Sequence, residues 1–316
     1  MSHQMFKYEN CTDIAQGSFG SIIRALQLTQ DRKPLRIVAL KKLIKKPNTE
    51  RNPINQDPVE EVQTMKAVSH PNVIKCLDYF EENMYSYIVM PFCPYNLADL
   101  IYAFNFRAPL QIVQSLAYQM LSGLRALHDA GIYHKDLKPR NILLNNLGVL
   151  QICDFGQTYQ THNNAGTRNY RAPESALNVQ NTHKSDVFAA GCVLFELLAG
   201  RTLFTAQNDI ELIVLQNQIV GPLINSKVLQ KSPDFQKIVL EQGFEELSGL
   251  NAVMEQVGID QEFQIVLEKM LCCDPDERAT CQQLLEQGAI KEGAKLGGVV
   301  GDYLHLMGMS DLELAD

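Results

Sequence analysis

One short stretch constrains this 316-residue chain more than any other: Tyr133-His134-Lys135-Asp136-Leu137-Lys138-Pro139-Arg140-Asn141-Ile142-Leu143-Leu144. It places an acid, a base, a proline and an amide in a loop between a long amphipathic helix, IVQSLAYQMLSGLRALHDAG, and a pair of apolar strands. Asp136 can accept a proton from a hydroxyl, Lys138 can neutralise a phosphate, and Asn141 can offer an oxygen to a metal. Thirteen residues after Asn141 comes Ile152-Cys153-Asp154-Phe155-Gly156. Asp154 follows an apolar strand and precedes a glycine, so its carboxylate is poised for Mg²⁺. Asp-Phe-Gly alone is common by chance, whereas the same triplet downstream of His-x-Asp-Leu-Lys-Pro-x-Asn is very rarely accidental.

Around this centre the chain changes character near residue 92. Before it, YENCTDIAQ, SIIRALQLT and LRIVALKKL read as strands, with VIKCLDYFEE and MYSYIVMPF as two more. One helix interrupts them: Asp57 is its N-cap, Pro58 its first residue, and VEEVQTMKAV its body. The intervening KKPNTERNPINQDP is a loop by its Pro, Asn and charge. After Asn96 the pattern is mainly helical. The long helix is capped by Gly131, SDVFAAGCVLFELLAG is apolar all round and hence buried, and EFQIVLEKMLCC and TCQQLLEQ follow. The docking of the last residues, EGAKLGGVVGDYLHLMGMSDLELAD, is not legible.

Two features in the strand-rich half bear on the site. The turn Ala15-Gln16-Gly17-Ser18-Phe19-Gly20-Ser21-Ile22 offers glycines that let backbone N–H groups approach a phosphate, although a glycine pair also makes an ordinary hairpin turn. Val38-Ala39-Leu40-Lys41 puts a lysine inside an apolar strand. Either Lys41 is a phosphate-binding cation that needs Glu61 on the following helix as its partner, or it faces solvent on an edge strand.

The net charge of −8 and a pI near 5.4 argue against a nucleic-acid footprint. No apolar run is long enough to span a bilayer and the N-terminus has no signal-like apolar stretch, so neither a membrane nor export is expected. Eight cysteines with no CxxC spacing read as free thiols in a reducing, intracellular compartment, cytoplasm or nucleus.

Taken in order, the glycine turn, the VALKK lysine, HKDLKPRN, DFG, Ala172-Pro173-Glu174, Asp186 and Arg278 resemble the eukaryotic protein kinase family. VALKK, HPNVIK and NYRAPE further resemble the CMGC group and its cyclin-dependent kinases, and the absence of T-x-Y weakens a MAP-kinase reading. The resemblance implies an α+β bilobal fold: a β-rich small lobe of about residues 8–92 with one helix, a mainly helical large lobe of about 93–289, and a tail, 290–316. It implies a serine/threonine kinase acting on protein substrates with ATP and Mg²⁺.

On this template Lys41 and Glu61 pair, and Asp136 and Lys138 act on the hydroxyl and the transferred phosphate. Asn141 and Asp154 hold the metal. Ile14, Ala15, Gln16, Gly17, Ser18, Phe19, Gly20, Ser21 and Ile22 cover the nucleotide; Ala39, Met90, Phe92, Cys93 and Leu143 surround the base, and Asn96 lies near the ribose. Asp186 would hold the catalytic loop's backbone, and Arg278 would pair with Glu174. Arg171 and Gly166 resemble a pocket for proline after the target residue, with Asn169 in place of the subgroup's usual tryptophan.

Regulation departs from the subgroup. The three arginines that gather an activation-segment phosphate are here Glu60, Lys135 and Tyr159, which predicts activation without phosphorylation; Thr158 and Thr161 are the candidates for modification. Phe19 stands where an inhibitory tyrosine often lies, leaving Ser18 as a candidate. The helix sequence DPVEEVQTMK is unlike the one that cyclins grip, so a cyclin-like activating subunit, an autonomous enzyme and a nucleotide-binding scaffold are all retained.

Overall fold

The computed structural model describes residues 7–17, 20–44, 57–103, 108–158, 166–180, 182–235 and 249–309. Its small lobe is an antiparallel sheet in the order β1-β2-β3-β5-β4, built from β1 (Tyr8–Gly17), β2 (Gly20–Leu28), β3 (Pro34–Ile44), β4 (Asp78–Glu82) and β5 (Tyr85–Pro91). Helix α1 (Pro58–Ala67) is inserted between β3 and β4 and starts as its sequence dictates: Asp57 accepts from the Val59 N–H and Pro58 stands at its first position.

The two-residue period of the strands sorts their side chains. On one face Val38, Leu40, Val89, Phe80 and Tyr87 form a separate small core, with Tyr8, Phe80 and Tyr87 stacked at 5.6 and 4.8 Å. On the other, Leu43, Ile88, Met90 and the α1 residues Val62 and Met65 join the core of the large lobe. Lys41 belongs to this second face, and β3 is an inner strand, so the solvent-facing edge-strand alternative is excluded.

The expected strand at VIKCLDYFEE is shorter than its apolar pattern suggests. Only Asp78–Glu82 pairs with β5; Val73 makes an isolated parallel bridge to Ile152 of the large lobe, and the Ile74 N–H donates to Ile152 O at 2.9 Å. Those apolar residues are buried against the other lobe instead of in the sheet.

The large lobe begins with β6 (Tyr95–Asn96) and α2 (Leu97–Ala103), followed by α3 (Leu110–Asp129). Ala130 is the C-cap of α3, and Gly131, expected there, is the next residue, at φ +73°. Strand β7 (Ile142–Leu144) pairs with β6 on one side and β8 (Leu150–Ile152) on the other, in a three-stranded sheet that carries the catalytic-loop candidates. After α4 (Pro173–Ala176), helix α5 (His183–Ala199) is buried almost throughout, as its unbroken apolar sequence requires. Helix α6 (Asp209–Val220) is capped by Asn208.

The tail is docked as far as Met309: Val300 and Leu304 of the helix Val299–Leu306 are buried in the large-lobe core, and the Ser115 hydroxyl donates to Leu296 O at 3.4 Å. Among the described residues no helix is long and apolar enough to cross a membrane. All eight cysteines are free; Cys192 and Cys281 are buried, and Cys11 is exposed.

Candidate active site

Between the lobes lies a cavity of about 690 Å³, ordinary for a drug-sized organic ligand. Its walls come from the glycine turn (Ile14, Ala15, Gln16, Gly20, Ser21, Ile22), the inner face of β3 (Ala39, Lys41) and the segment after β5 (Met90, Phe92, Cys93, Asn96). Leu143 lies on the opposite side with Asn141 and Asp154. Ala39 faces Met90 in the β3–β5 register, which fixes the cavity's back wall. Ser18 and Phe19 lie outside the described residues, and Gly17 pairs with Gly20 at the end of the β1–β2 ladder. Gly20 has a packing reason of its own: a Cβ there would lie 1.9 Å from the Lys42 carbonyl oxygen.

Cations and acids converge at the inner end of the cavity. Lys41 Nζ donates to both Glu61 oxygens at 2.8 Å and to Asp154 Oδ1 at 2.8 Å. Burial opposes the ammonium form, but the two carboxylates outweigh it and hold the Lys41 pKa well above its usual value. Burial likewise pushes Asp154 up, and Lys41 overcomes it, leaving that carboxyl below its usual range. Burial alone pushes the Cys93 thiol up to about 12, so it is neutral and its sulfur hydrogen donates to Gln151 Oε1 at 3.3 Å.

Asp136 lies on the other side of Asn141. Asn141 Nδ2 donates to Asp136 O at 2.9 Å and to Asp136 Oδ2 at 3.3 Å, which ties Asp136, in the adjoining recess, to an amide that lines the cavity with Asp154. Lys138 does not line the cavity. Its Nζ donates to Asp136 Oδ2 at 2.7 Å and to the Thr167 hydroxyl at 3.0 Å. Thr167 donates its backbone N–H (2.7 Å) and its hydroxyl (2.8 Å) to Asp136 Oδ1. Thr167 was not singled out from the sequence. The signal available was its place directly after Gly166, between DFG and APE.

The loop is held from beneath by a buried frame. Asp186, at the start of α5, accepts from the backbone N–H groups of His134 (2.8 Å) and Lys135 (2.9 Å) and from His128 Nε2 (3.0 Å). Burial raises its pKa, and the His128 hydrogen bond and charge more than reverse this, so the carboxyl lies below its usual value. This grip holds Lys135 at φ +67°, while Asp154 sits at φ +68°: two non-glycine residues in the left-handed region, both at the site. His134 Nε2–H donates to Cys153 O at 2.8 Å, linking the loop to the residue before Asp154, and Phe155 packs edge-on to His134. Deeper still, Arg278 grips both oxygens of Glu174 at 2.7 and 3.0 Å, as the motif order implied.

Beside Asp136 lies a second small recess, lined by Gly166, Thr167 and Arg171. Gly166 adopts φ +94°, and a Cβ there would meet Lys135 O at 2.5 Å, so only glycine fits. Arg171 Nη2 donates to Gly166 O at 2.7 Å, and its Nη1 to Asp209 Oδ1 at 2.9 Å. Of the modification candidates, Thr158 has its hydroxyl buried, and Tyr159 and Thr161 lie outside the described residues.

Asn96 lines the cavity, but its side-chain oxygen accepts from the N–H groups of Ala98 (2.9 Å) and Asp99 (3.2 Å) as the cap of α2. Asn141 spends its nitrogen on Asp136, which leaves the amide oxygen, and Asp154 supplies carboxylate oxygen. An oxygen pair without a larger cage suits Mg²⁺, which takes one or two protein oxygens and keeps phosphate and water for the rest. Among the described residues no group of three or more His, Cys, Asp or Glu could cage a metal.

The family model "Protein kinase domain" matches residues 8–289. Cyclin-dependent kinase-like 2 of Oryctolagus cuniculus is 30% identical over 295 residues, covering 89% of this chain and 50% of that protein. Mitogen-activated protein kinase mpkC of Aspergillus oryzae is 33% identical over 293 residues, covering 89% of this chain and 80% of that protein. The chain thus spans about half the length of the cyclin-dependent kinase-like 2 relative. Among solved structures, that of the yeast RNA Pol II CTD kinase CTDK-1 complex superposes with a TM-score of 0.76 at 25% identity, over 89% of this chain and 92% of that one.

Proposed function

Since the chain belongs to the protein kinase family, among the cyclin-dependent-kinase-like members of the CMGC group, we propose that it transfers the γ-phosphate of ATP to serine or threonine of protein substrates, preferring a following proline. One observation carries this reading: Lys41 joins Glu61 and Asp154 at 2.8 Å, and Asp136 is hydrogen-bonded to Asn141, which lines the same cavity.

Each group has work that matches its setting. Lys41, kept charged and aimed by Glu61, is the cation for the α- and β-phosphates. Asp154 and Asn141 are the oxygen donors for a divalent cation, which when bound supplies positive charge to the triphosphate. Asp136, its Oδ1 fixed by Thr167 and its Oδ2 by Lys138, accepts the hydrogen bond of the substrate hydroxyl and orients it. Lys138, already within reach of Asp136, is positioned to neutralise charge on the transferred group. Catalysis on this reading is positioning and charge compensation, with no covalent step on the protein.

The preference for proline follows from the Gly166 carbonyl. It is engaged by Arg171 Nη2 at 2.7 Å, a charge-assisted bond that makes it a poor acceptor for the backbone N–H of the residue after the target. Proline has no N–H to leave unsatisfied, whereas any other residue would lose a hydrogen bond.

Incubating the purified chain with Mg-ATP and Ser-Pro, Ser-Ala and Tyr-Pro peptides tests the proposal. The Ser-Pro peptide is expected to be phosphorylated about tenfold faster than Ser-Ala, and Asp136→Asn to lower the rate by about a hundred- to a thousandfold. A rate unchanged by Asp136→Asn, or preference for tyrosine, overturns it. Turnover by the chain alone favours an autonomous enzyme. Tight Mg-ATP binding without turnover, relieved by a co-purified protein, assigns a cyclin-like partner instead.

A further inference from the structure

The charges around the cleft are nearly all matched, with one exception. Asp154 is paired with Lys41, and Asp136 with Lys138 and Thr167. The Asp99 carboxylate accepts from the Asn96 N–H at 3.0 Å, and Glu196 accepts from the Tyr170 hydroxyl at 2.7 Å. On the substrate side, Asp209 holds both Arg168 (3.0 Å) and Arg171 (2.9 Å). Arg140 is left over. It is exposed, it lines the cavity, and among the described residues it has no hydrogen-bond or ion-pair partner. The segment 159–165, Tyr-Gln-Thr-His-Asn-Asn-Ala, contains no acid that could become one.

Arg140 is nevertheless mounted on a rigid base. It lies in the 3-10 turn Pro139–Asn141, between a buried proline and a buried asparagine whose amide is bonded to Asp136. Its backbone is therefore fixed relative to Asp136 while its side chain is free to reach outward. An unpaired guanidinium on a fixed mount is a recognition element for a carboxylate, which its planar fork can meet with two hydrogen bonds.

We propose that Arg140 is a specificity-determining residue that binds an acidic side chain of the substrate on the N-terminal side of the phosphorylated residue. The direction follows from the two recesses that flank Asp136. The residue after the target sits at Gly166 and Arg171, a recess that Arg140 does not line. Arg140 borders the opposite, nucleotide side, so the residues before the target run past it. The enzyme thus reads two features of one peptide: an acid before the acceptor through Arg140, and a proline after it through Gly166. The inference rests on the kinase reading above and adds a substrate class to it.

The test uses three Ser-Pro peptides that carry Glu, Ala or Lys at the two and three positions before the serine. With the wild-type chain, kcat/KM for the Glu peptide is expected to exceed that for the Lys peptide by about fivefold or more. Arg140→Ala should bring the ratio close to one and Arg140→Glu should invert it, with the KM for ATP within about twofold throughout. The same ratio in all three proteins overturns the inference. A shift in the KM for ATP with no change in the peptide ratio also overturns it and assigns Arg140 to the nucleotide. Failure of the wild-type protein to phosphorylate any of the peptides, both alone and with any co-purified protein, is a different outcome, which removes the kinase reading and the inference together.

Discussion

Two ion-paired clusters in this molecule look alike on paper and differ in kind. Glu174 and Arg278 are both 0% exposed, and the guanidinium also donates to the carbonyls of Cys272 and Lys184, so each charge is enclosed by protein. Lys41, Glu61 and Asp154 lie at the wall of an open cavity, with 37% of the Asp154 side chain exposed. The first cluster joins segments 104 residues apart and has no access to a ligand. The second can exchange one of its partners for a ligand. Burial therefore separates a structural pair from a working one: an enclosed charge must be satisfied permanently by protein, whereas a charge at a cleft can be satisfied in turn by protein, water or substrate.

The sharpest way to break this contrast is to remove one member of each. Arg278→Ala leaves the Glu174 charge buried without its partner and should cost about 3–5 kcal/mol of unfolding free energy, read as a lowered midpoint in urea. A loss below about 1 kcal/mol would mean that water reaches Glu174 and that the enclosure is incomplete. Lys41→Met should cost only about 1–2 kcal/mol, because Asp154 is open to water and Glu61 borders the cavity, while phosphotransfer falls by about a hundredfold or more with Mg-ATP still bound weakly. Equal destabilisation by the two variants would erase the distinction.

Asp186 gives the smallest and most specific effect, through pH. Its folded pKa lies below the unfolded value, so its contribution to stability is present above about pH 4 and is lost as the pH falls through the folded value. Asp186→Asn should flatten the acid side of the stability profile below about pH 4. An unchanged acid limb would show that another carboxylate controls it.

What could be read directly was local. The catalytic-loop motif, DFG and the α1 cap each need only a few neighbouring residues to express their chemistry, and Asp57 caps α1 as its type and position require. Lys41 was ambiguous for a physical reason: a strand's period shows which side chains share a face but not whether the strand is inner or edge, and the sheet order settled it. VIKC was read as strand because an apolar run looks the same whether it is buried in a sheet or against another lobe. Asn96 shows a related limit, since an amide near a cavity is also a helix cap, and its oxygen serves the cap here.

The sequence by itself determined the order of the chemical groups, the two-lobe division and the family, because these rest on residue type and short spacing. Tertiary structure alone decided that Thr167 locks Asp136, that Arg171 occupies the Gly166 carbonyl, that the tail docks on the large lobe, and that Arg140 lines the cleft without an ion-pair partner among the described residues. Each of these depends on which groups meet across tens or hundreds of residues. A charge is matched or left over only after the whole chain has closed around it.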